Sequence, residues 1–240
     1  DPTALTSPSA PVAPAGEAPA ATAEAFRDVP ARRARFVNGG FRADLSDDLS
    51  QEGLAVERLS ELLGQDISIL RGLFGVLEAD GQEKVERPLA ALNTAVATEG
   101  LVMQATGPVA EPVHIDHAQI GEGASFLRHA IRVESGAELT LLETGIATNA
   151  VIEVDIAPGG RFRHVRLQDG PDLPGASHVF ARIGEEAVFK TFTLTADGHL
   201  VRNEVVTELA GDRGSAHVAG AVLGQGQAHI DNTVFVTHAG

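Results

Sequence analysis

The 240-residue chain contains no cysteine, no tryptophan and no tyrosine, and it has a single methionine. Without cysteine the chain can form no disulfide, offers no thiolate nucleophile and supplies no thiolate metal ligand. The absence of tryptophan and tyrosine counts against a polysaccharide-binding groove, because sugar subsites usually stack on large aromatic rings. These absences exclude thiol chemistry within this sequence and count against a carbohydrate-binding role.

Positive charge is also scarce. Eighteen basic residues face thirty-three acidic ones, which gives a net charge of −15 and an isoelectric point near 4.9. A phosphate backbone or an anionic bilayer would be repelled over most of such a surface, so we expect neither nucleic acid nor membrane as a partner. No stretch reaches the roughly 18 apolar residues that a membrane span needs. We expect a cytoplasmic protein.

Residues 1–30 are predicted to be a poorly ordered linker rich in alanine and proline. The first 25 residues hold five prolines and nine alanines with almost no large apolar side chain, so they have little to bury. They lack the basic and apolar regions of a signal peptide. The chain starts in this linker and ends within a predicted strand, so we expect it to be trimmed at both ends.

Residues 31–99 are predicted to form an N-terminal hairpin and a helical segment. Asn38-Gly39 within Phe36–Phe41 is typical of a tight hairpin turn. Apolar residues between Leu54 and Leu63 follow helical spacing, and a second helix is expected from Pro88 towards Gly100.

Residues 100–240 are predicted to be an all-β core, because short runs of Val, Ile, Leu, Phe and Thr alternate with corners that contain Gly, Asp or Pro. The predicted strands are Leu101–Ala105, Ser125–Val133, Glu138–Glu143, Val151–Ile156, Arg161–Leu167, Val188–Thr195, Leu200–Leu209, Ala216–Leu223 and His229–Val236. Similar corners precede several strands, as in "GEGASFL", "ESGAELTLL" and "APGGRFRHV". Recurring corners of this kind suit a parallel β-helix or a sandwich.

Two short motifs contain side chains that could bind a metal. In "VHIDHA", His114 and Asp116 lie on one face of a strand and His117 on the other, because side chains alternate across a strand. In "AHIDN", His229 and Asp231 share a face, but a third ligand would have to come from a neighbouring strand. Both motifs are interpreted as ordinary strand residues, and no metal site is predicted.

The remaining motifs do not predict catalysis. "LGQGQAH" lacks the pattern of a phosphate loop, no GxSxG nucleophile elbow occurs, and the acidic pairs Asp47-Asp48 and Glu185-Glu186 lie in polar contexts. The two basic clusters are interpreted as solvated strand faces rather than as a nucleic-acid patch. They comprise Arg32, Arg33 and Arg35 in "ARRAR", and Arg161, Arg163, His164 and Arg166 in "RFRHVR".

Several phrases resemble the SufD family of iron-sulfur cluster assembly proteins. They are "RFVNGGF" followed by "DLS", "LAALNTAVATEGLVM", and the tail "RNEVVTELAGDRGSAHVAGAVLGQGQAHIDNTVFVTH", which looks like the stretch shared by SufB and SufD. The resemblance covers about residues 35 to 240, and its N-terminal phrases favour SufD over SufB. The tail matches the family pattern at Arg202, Glu204, Leu209, Gly211, Ala216, Gly220, His229, Asp231 and His238.

This resemblance implies a right-handed parallel β-helix that pairs with SufB and works with the ATPase SufC. It implies a non-enzymatic partner with no catalytic, cofactor-binding or metal-binding residue of its own, so that the iron-sulfur cluster and ATP belong to the complex. The family continues beyond Gly240, so we expect a truncated β-helix whose open rung self-associates. Two alternatives remain at this point, a SufB-type scaffold with its own metal site and a β-helix enzyme acting on polysaccharide.

Overall fold

The computed structural model describes residues 25–239, except residues 64, 66–67, 83, 121–122, 170–173, 197–198 and 225. The predicted linker, residues 1–30, therefore lies outside the described residues except for its last part, residues 25–30. The described chain is mainly β and winds through about five turns of a parallel β-solenoid, which confirms the predicted β-helix.

Fourteen strands form two seven-stranded sheets among the described residues. Sheet A contains β1 (Arg32–Val37), β2 (Gly40–Phe41), β5 (Val113–Ala118), β7 (Glu138–Thr144), β9 (Arg161–Gln168), β11 (Val188–Thr195) and β13 (Ser215–Val222). Sheet B contains β3 (Leu54–Arg58), β4 (Leu101–Ala105), β6 (Phe126–Val133), β8 (Asn149–Ile156), β10 (Gly175–Ile183), β12 (Leu200–Leu209) and β14 (His229–His238). From β4 onward consecutive strands alternate between the sheets, and strands two apart pair in parallel.

The N-terminal strands extend the same two sheets. The predicted hairpin is present, since Phe36 pairs with Phe41 and Val37 with Gly40 in antiparallel register. β1 also pairs in parallel with β5, so the hairpin is continuous with the solenoid. The helix predicted from Leu54 is wrong over Leu54–Arg58, because these residues form β3, which pairs with the antiparallel neighbour β4. Backbone pairing along a sheet edge outweighs a weak helical spacing.

The corners that lead from sheet B to sheet A stack on one another. Each has one residue in the left-handed region two positions before the next strand: Gly136, Gly159, Glu186 and Arg213. Successive corners are joined by backbone hydrogen bonds, from the Gly159 N–H to Glu185 O at 2.8 Å and from the Glu186 N–H to Asp212 O at 2.9 Å. Gly136 and Gly159, from the sequence corners "ESGAELTLL" and "APGGRFRHV", therefore serve a repeating turn, in which Glu186 and Arg213 take the same conformation on later rungs.

The interior between the sheets is apolar at one end of each strand. Phe162 and Phe189 stack with ring centroids 6.1 Å apart, and Leu139, Leu141 and Ile152 are fully buried around them. Burying each such side chain contributes about 1.5–3 kcal/mol. This interior provides the apolar core that the 43% hydrophobic composition made possible.

Four short helices lie over the outer face of sheet B: α1 (Leu59–Leu62), α2 (Ser68–Leu73), α3 (Val76–Gln82) and α4 (Pro88–Val96). Leu73 packs with Val102 and Ala130 of the sheet, and Leu77 of α3 belongs to one apolar cluster with Phe180. None of the helices within the described residues has the length and apolar character needed to cross a membrane.

β13 and β14 are the outermost strands at one end of the two sheets. Their apolar side chains are unusually open to solvent: Val222 is 43%, Val234 50% and Val236 47% exposed. Among the described residues, the last rung thus presents apolar side chains together with a strand edge of β13 and of β14 that pairs with no further strand.

Candidate functional site

A buried carboxylate lies at the polar end of the solenoid interior. Glu143 on β7 follows Leu139 and Leu141 on the same face, so the strand alternation points it inward. Its Oε1 lies 3.1 Å from His117 Nε2, and its Oε2 lies 2.6 Å from His164 Nε2 and 2.7 Å from Arg166 Nε. All four side chains are nearly inaccessible to solvent.

The electrostatics of this cluster fix Glu143 as an anion. Burial by itself raises the pKa of a carboxyl group, but the Arg166 charge and the hydrogen bonds from His117 and His164 outweigh burial and hold the Glu143 pKa well below its usual value. Burial also lowers the pKa of His164, against the pull of Glu143. A neutral His164 donates from Nε2 to the carboxylate, and its Nδ1 accepts from the Thr191 hydroxyl at 3.1 Å.

Hydrogen bonds continue the cluster into the next rungs. Arg166 Nη1 donates to Ser177 Oγ at 2.6 Å, and Ser177 Oγ donates to Asn203 Oδ1 at 2.6 Å. Asn203 Nδ2 then donates to Gln168 Oε1 at 2.8 Å. The polar interior therefore links both sheets across several turns, and most of its groups are satisfied, as buried polar groups must be.

His129 also lies in this interior, and one of its two ring nitrogens lacks a hydrogen-bond partner among the described residues. The Leu101 N–H donates to His129 Nδ1 at 3.1 Å, which leaves the proton on Nε2. Within the described part of the chain Nε2 has no hydrogen-bond partner, and burial lowers the His129 pKa to about 3. His129 is therefore neutral and buried next to His117, with ring centroids 6.3 Å apart.

The cluster is poorly suited to hold a metal ion. Its only carboxylate is already neutralised by Arg166, whose guanidinium would repel a cation at the same oxygen. In the parts of the chain that the structure describes, no group of three or more His, Cys, Asp or Glu side chains is arranged as a metal site. The arrangement is that of a buried, ion-paired core.

A second set of buried charged side chains links the helical layer to the outer face of sheet B. Arg128 lies 2.8 Å from Glu153, and neither side chain is exposed. Glu153 also accepts hydrogen bonds from the backbone N–H groups of Gly75 at 2.8 Å and Glu78 at 3.0 Å. Nearby, Arg87 donates from Nε to Glu204 at 2.8 Å. These pairs join sequence-distant elements, so their role is to position the helical layer.

The "VHIDHA" motif follows the predicted alternation of faces. Thr144 on the outer face of sheet A bridges His114 Nε2, at 2.9 Å, and Asp116 Oδ1, at 3.1 Å. Asp116 also pairs with Arg35 Nη1 at 2.9 Å. His117 points to the opposite face, where it meets Glu143. The outer pair is held by an arginine and a threonine, and not by a third ligand residue.

The family-pattern positions lie at the open end of the solenoid. Arg202 Nε and Asp231 Oδ2 are 3.6 Å apart in an exposed pair on neighbouring strands. His229 begins β14 and His238 ends it, so the two imidazoles are at opposite ends of one strand. Gly220 lies on β13 beside the Thr193 carbonyl. The structure thus brings Arg202 and Asp231 together but does not gather the histidines.

Gly211 has a steric reason for its place in the pattern. A Cβ built on it would lie 2.3 Å from the Glu185 backbone nitrogen in the corner below. We therefore predict that Gly211→Ala lowers the free energy of unfolding by about 1–3 kcal/mol, because the stacked corners must separate. Chemical denaturation followed by far-UV circular dichroism measures this. Gly107→Ala is the matched control, since no atom lies within 4 Å of its Cβ, and equal losses in both variants would contradict the prediction.

The expectation that both basic clusters are solvated strand faces is wrong for three members. Arg35, His164 and Arg166 are buried, whereas Arg161 and Arg163 are exposed. Arg35 pairs with Asp116, and Arg166 pairs with Glu143, in each case on a neighbouring rung. Sequence analysis also missed Glu143, although the apolar alternation of Leu139 and Leu141 was a signal that this carboxylate points inward.

Comparison with known proteins shows the family of this chain. Residues 115–240 match the family model described as "SUF system FeS cluster assembly, SufBD core domain". Curated relatives include the "Iron-sulfur cluster assembly SufBD family" proteins of Mycobacterium bovis and Mycobacterium tuberculosis, each 29% identical over 136 residues. That alignment covers 55% of this chain, and the chain spans 34% of the length of either relative. The family model covers more than half of the chain, and the chain therefore belongs to the SufBD core family of the SUF iron-sulfur cluster assembly system.

Proposed function

We propose that this protein is a SufD-type component of the SUF complex, a structural partner of the SufB scaffold and the SufC ATPase. It works in the cytoplasm, has no catalytic step of its own and holds no resident cofactor. The nascent iron-sulfur cluster is cargo of the complex, and ATP is used by SufC.

The chemistry of the interior carries this proposal. Sites that assemble iron and sulfide usually depend on thiolates, and the sequence has no cysteine. The interior carboxylate Glu143 is committed to Arg166, with two histidines donating to it. An interior whose carboxylate is already paired with an arginine is poorly suited to hold iron, and this supports a structural role.

The resemblance of the N-terminal phrases favours SufD over SufB. "RFVNGGF" forms the β1–β2 hairpin, and "LAALNTAVATEGLVM" spans α4 and the entry into β4. The SufB-type scaffold is the competing role. The two differ in a measurable way, because a scaffold acquires a cluster on its own and a structural partner does not.

Co-purification and cluster reconstitution test the proposal together. The full-length protein is expected to form a stoichiometric complex with SufB and SufC by size-exclusion chromatography and mass analysis. After anaerobic incubation with iron and sulfide, the protein alone should show no visible absorbance of an iron-sulfur cluster, whereas the complex should. SufB alone and SufC alone serve as controls.

Failure to bind SufB would overturn the SufD-type role. A stable cluster on the protein alone would support the scaffold role in its place. The same chromatography at several protein concentrations tests the expected self-association of the 240-residue chain through its exposed last rung.

A further inference from the structure

The outer face of sheet A carries an apolar surface across strands β9, β11 and β13. Register places Val165 beside Phe192, and Leu167 beside Leu194. The next strand adds Ala219 and Ala221 in the same two rows. Phe192 is 40% exposed, although large apolar side chains in a solenoid of this kind are mostly buried. Adjacent apolar residues in two rows form a contiguous patch, which in soluble proteins marks an interaction site.

A row of basic side chains borders this apolar surface. Arg163 pairs in register with Lys190, and Lys190 with His217, all on the outward side of the sheet. Across β9, β11 and β13 the outward positions hold no acidic residue. Glu138 on the neighbouring strand β7 accepts from Arg163 at 3.0 Å. In a chain with a net charge of −15, these three strands thus carry basic side chains without an acidic one among them.

The opposite sheet shows what kind of element covers such a face in this fold. On the outer side of sheet B, Val151, Phe180 and Val206 are buried beneath the helical layer, with Leu77 of α3 and Ala90 of α4 packed on them. Among the described residues, helices α1–α4 contact sheet B, and Phe192 on sheet A remains open to solvent. The two outer faces have similar apolar rows but differ in what covers them.

We propose that the outer face of sheet A is a docking surface for an acidic amphipathic α-helix of a partner protein. The apolar side of that helix packs on Phe192, Val165 and Leu194, and its carboxylates pair with Lys190. A second copy of the same face fits poorly, because β9, β11 and β13 carry no acidic residue that could meet Lys190. This surface lies away from the exposed Arg202–Asp231 pair and does not depend on the SufD-type role.

Three defined peptides test the chemistry of this surface. The probe is a fluorescein-labelled 18-residue helical peptide with leucines along one side and glutamates on the flanks, and its counterparts are a lysine version and a scrambled version. Fluorescence anisotropy with the full-length protein should show saturable binding of the glutamate peptide, at least about tenfold tighter than either counterpart. The affinity should fall at 0.5 M salt, since the Debye length there is only several ångströms.

Variants then locate the binding. Phe192→Ser and Lys190→Glu should each weaken the glutamate peptide by about tenfold or more, as loss of an anchor at the centre of an interface does. Arg213→Glu and Val29→Ser alter an exposed charge and an exposed valine elsewhere on the protein and should leave the affinity unchanged. Far-UV circular dichroism confirms that each variant keeps its fold.

Three outcomes would overturn the proposal. The first is a glutamate peptide that binds no better than the scrambled one, or equally well to Lys190→Glu and to Arg213→Glu. The second is preferential binding of a single-stranded RNA oligonucleotide, which would make the basic row a nucleic-acid site. The third is peptide binding that appears only after residues 1–24 are deleted, which would assign the face to the chain's own N-terminal segment.

Discussion

Acidification from pH 7 to pH 5 is expected to lower the free energy of unfolding by several kcal/mol, and the protein should be unfolded by about pH 4. Burial, the largest cause in each case, lowers the pKa of His114 to about 4 and of His129 and His178 to about 3. In the unfolded chain these groups have a pKa near 6.5, the ordinary value of a histidine side chain. The unfolded state therefore binds more protons than the folded state below pH 6.5.

The sign of the effect follows from this difference. The stabilisation is fully present above pH 6.5 and is lost as the pH falls towards the folded-state pKa values. Between pH 7 and pH 5, each of the three histidines lowers the free energy of unfolding by about 2 kcal/mol. Together they lower it by about 6 kcal/mol, against a typical domain stability of about 5–15 kcal/mol. Glu143, whose pKa is lowered, acts in the same direction below pH 4.5.

Urea denaturation at a series of pH values, followed by far-UV circular dichroism, measures this loss. Fluorescence of tryptophan or tyrosine offers no signal, because the chain has neither residue. His178→Gln should shrink the change between pH 7 and pH 5 by about 2 kcal/mol. His217→Gln, at an exposed position on β13, is the control and should leave it unaltered. Equal stability of the protein at pH 7 and pH 5 would refute the prediction.

Removing Glu143 is expected to be the most damaging single change in the interior. Glu143→Leu should cost about 3–5 kcal/mol, because it leaves the buried Arg166 guanidinium without a counter-charge. The double variant Glu143→Leu with Arg166→Met should regain much of that loss, since it removes both charges and keeps similar volume. The free energies of unfolding at pH 7 give the coupling energy of the pair.

An exposed ion pair supplies the comparison. Arg213 lies 2.6 Å from Glu186 at the last corner, and both side chains are more than half exposed. Arg213→Gln should leave the free energy of unfolding nearly unchanged, as solvent screens such a pair. Two results would contradict this prediction: Glu143→Leu costs no more stability than Arg213→Gln, or the double variant loses the sum of the two single losses. Either result would mean that Glu143 and Arg166 are not strongly coupled in the folded protein.

The strands and corners could be predicted with good accuracy from the sequence. Leu101–Ala105, Val188–Thr195 and Leu200–Leu209 have the predicted bounds, and others differ by one or two residues at an end. β10 (Gly175–Ile183) was missed among the predicted strands. Its first residues, Gly-Ala-Ser, have low strand propensity, and the strand exists because it pairs with β8 and β12 on both sides.

The candidate site was predicted less well. Local alternation placed His117 on the face opposite His114, and that was confirmed. It could not show that His117 and Glu143 would meet, because they come from different strands, β5 and β7. Arg166 was assigned to a solvated face since an arginine in a short basic run is usually exposed. Its burial depends on a carboxylate one rung away, which only the register of the sheets reveals.

The sequence by itself therefore determined the local properties of this protein: strand-forming runs, glycine corners, the absence of thiols and the acidic balance. These follow from backbone sterics and composition, which act within a few residues. Only the tertiary structure decided which side chains meet. The paired interior of Glu143, His164 and Arg166, the helices over sheet B and the open, basic face of sheet A all arise from stacking rungs more than twenty residues apart, and no short-range pattern records that spacing.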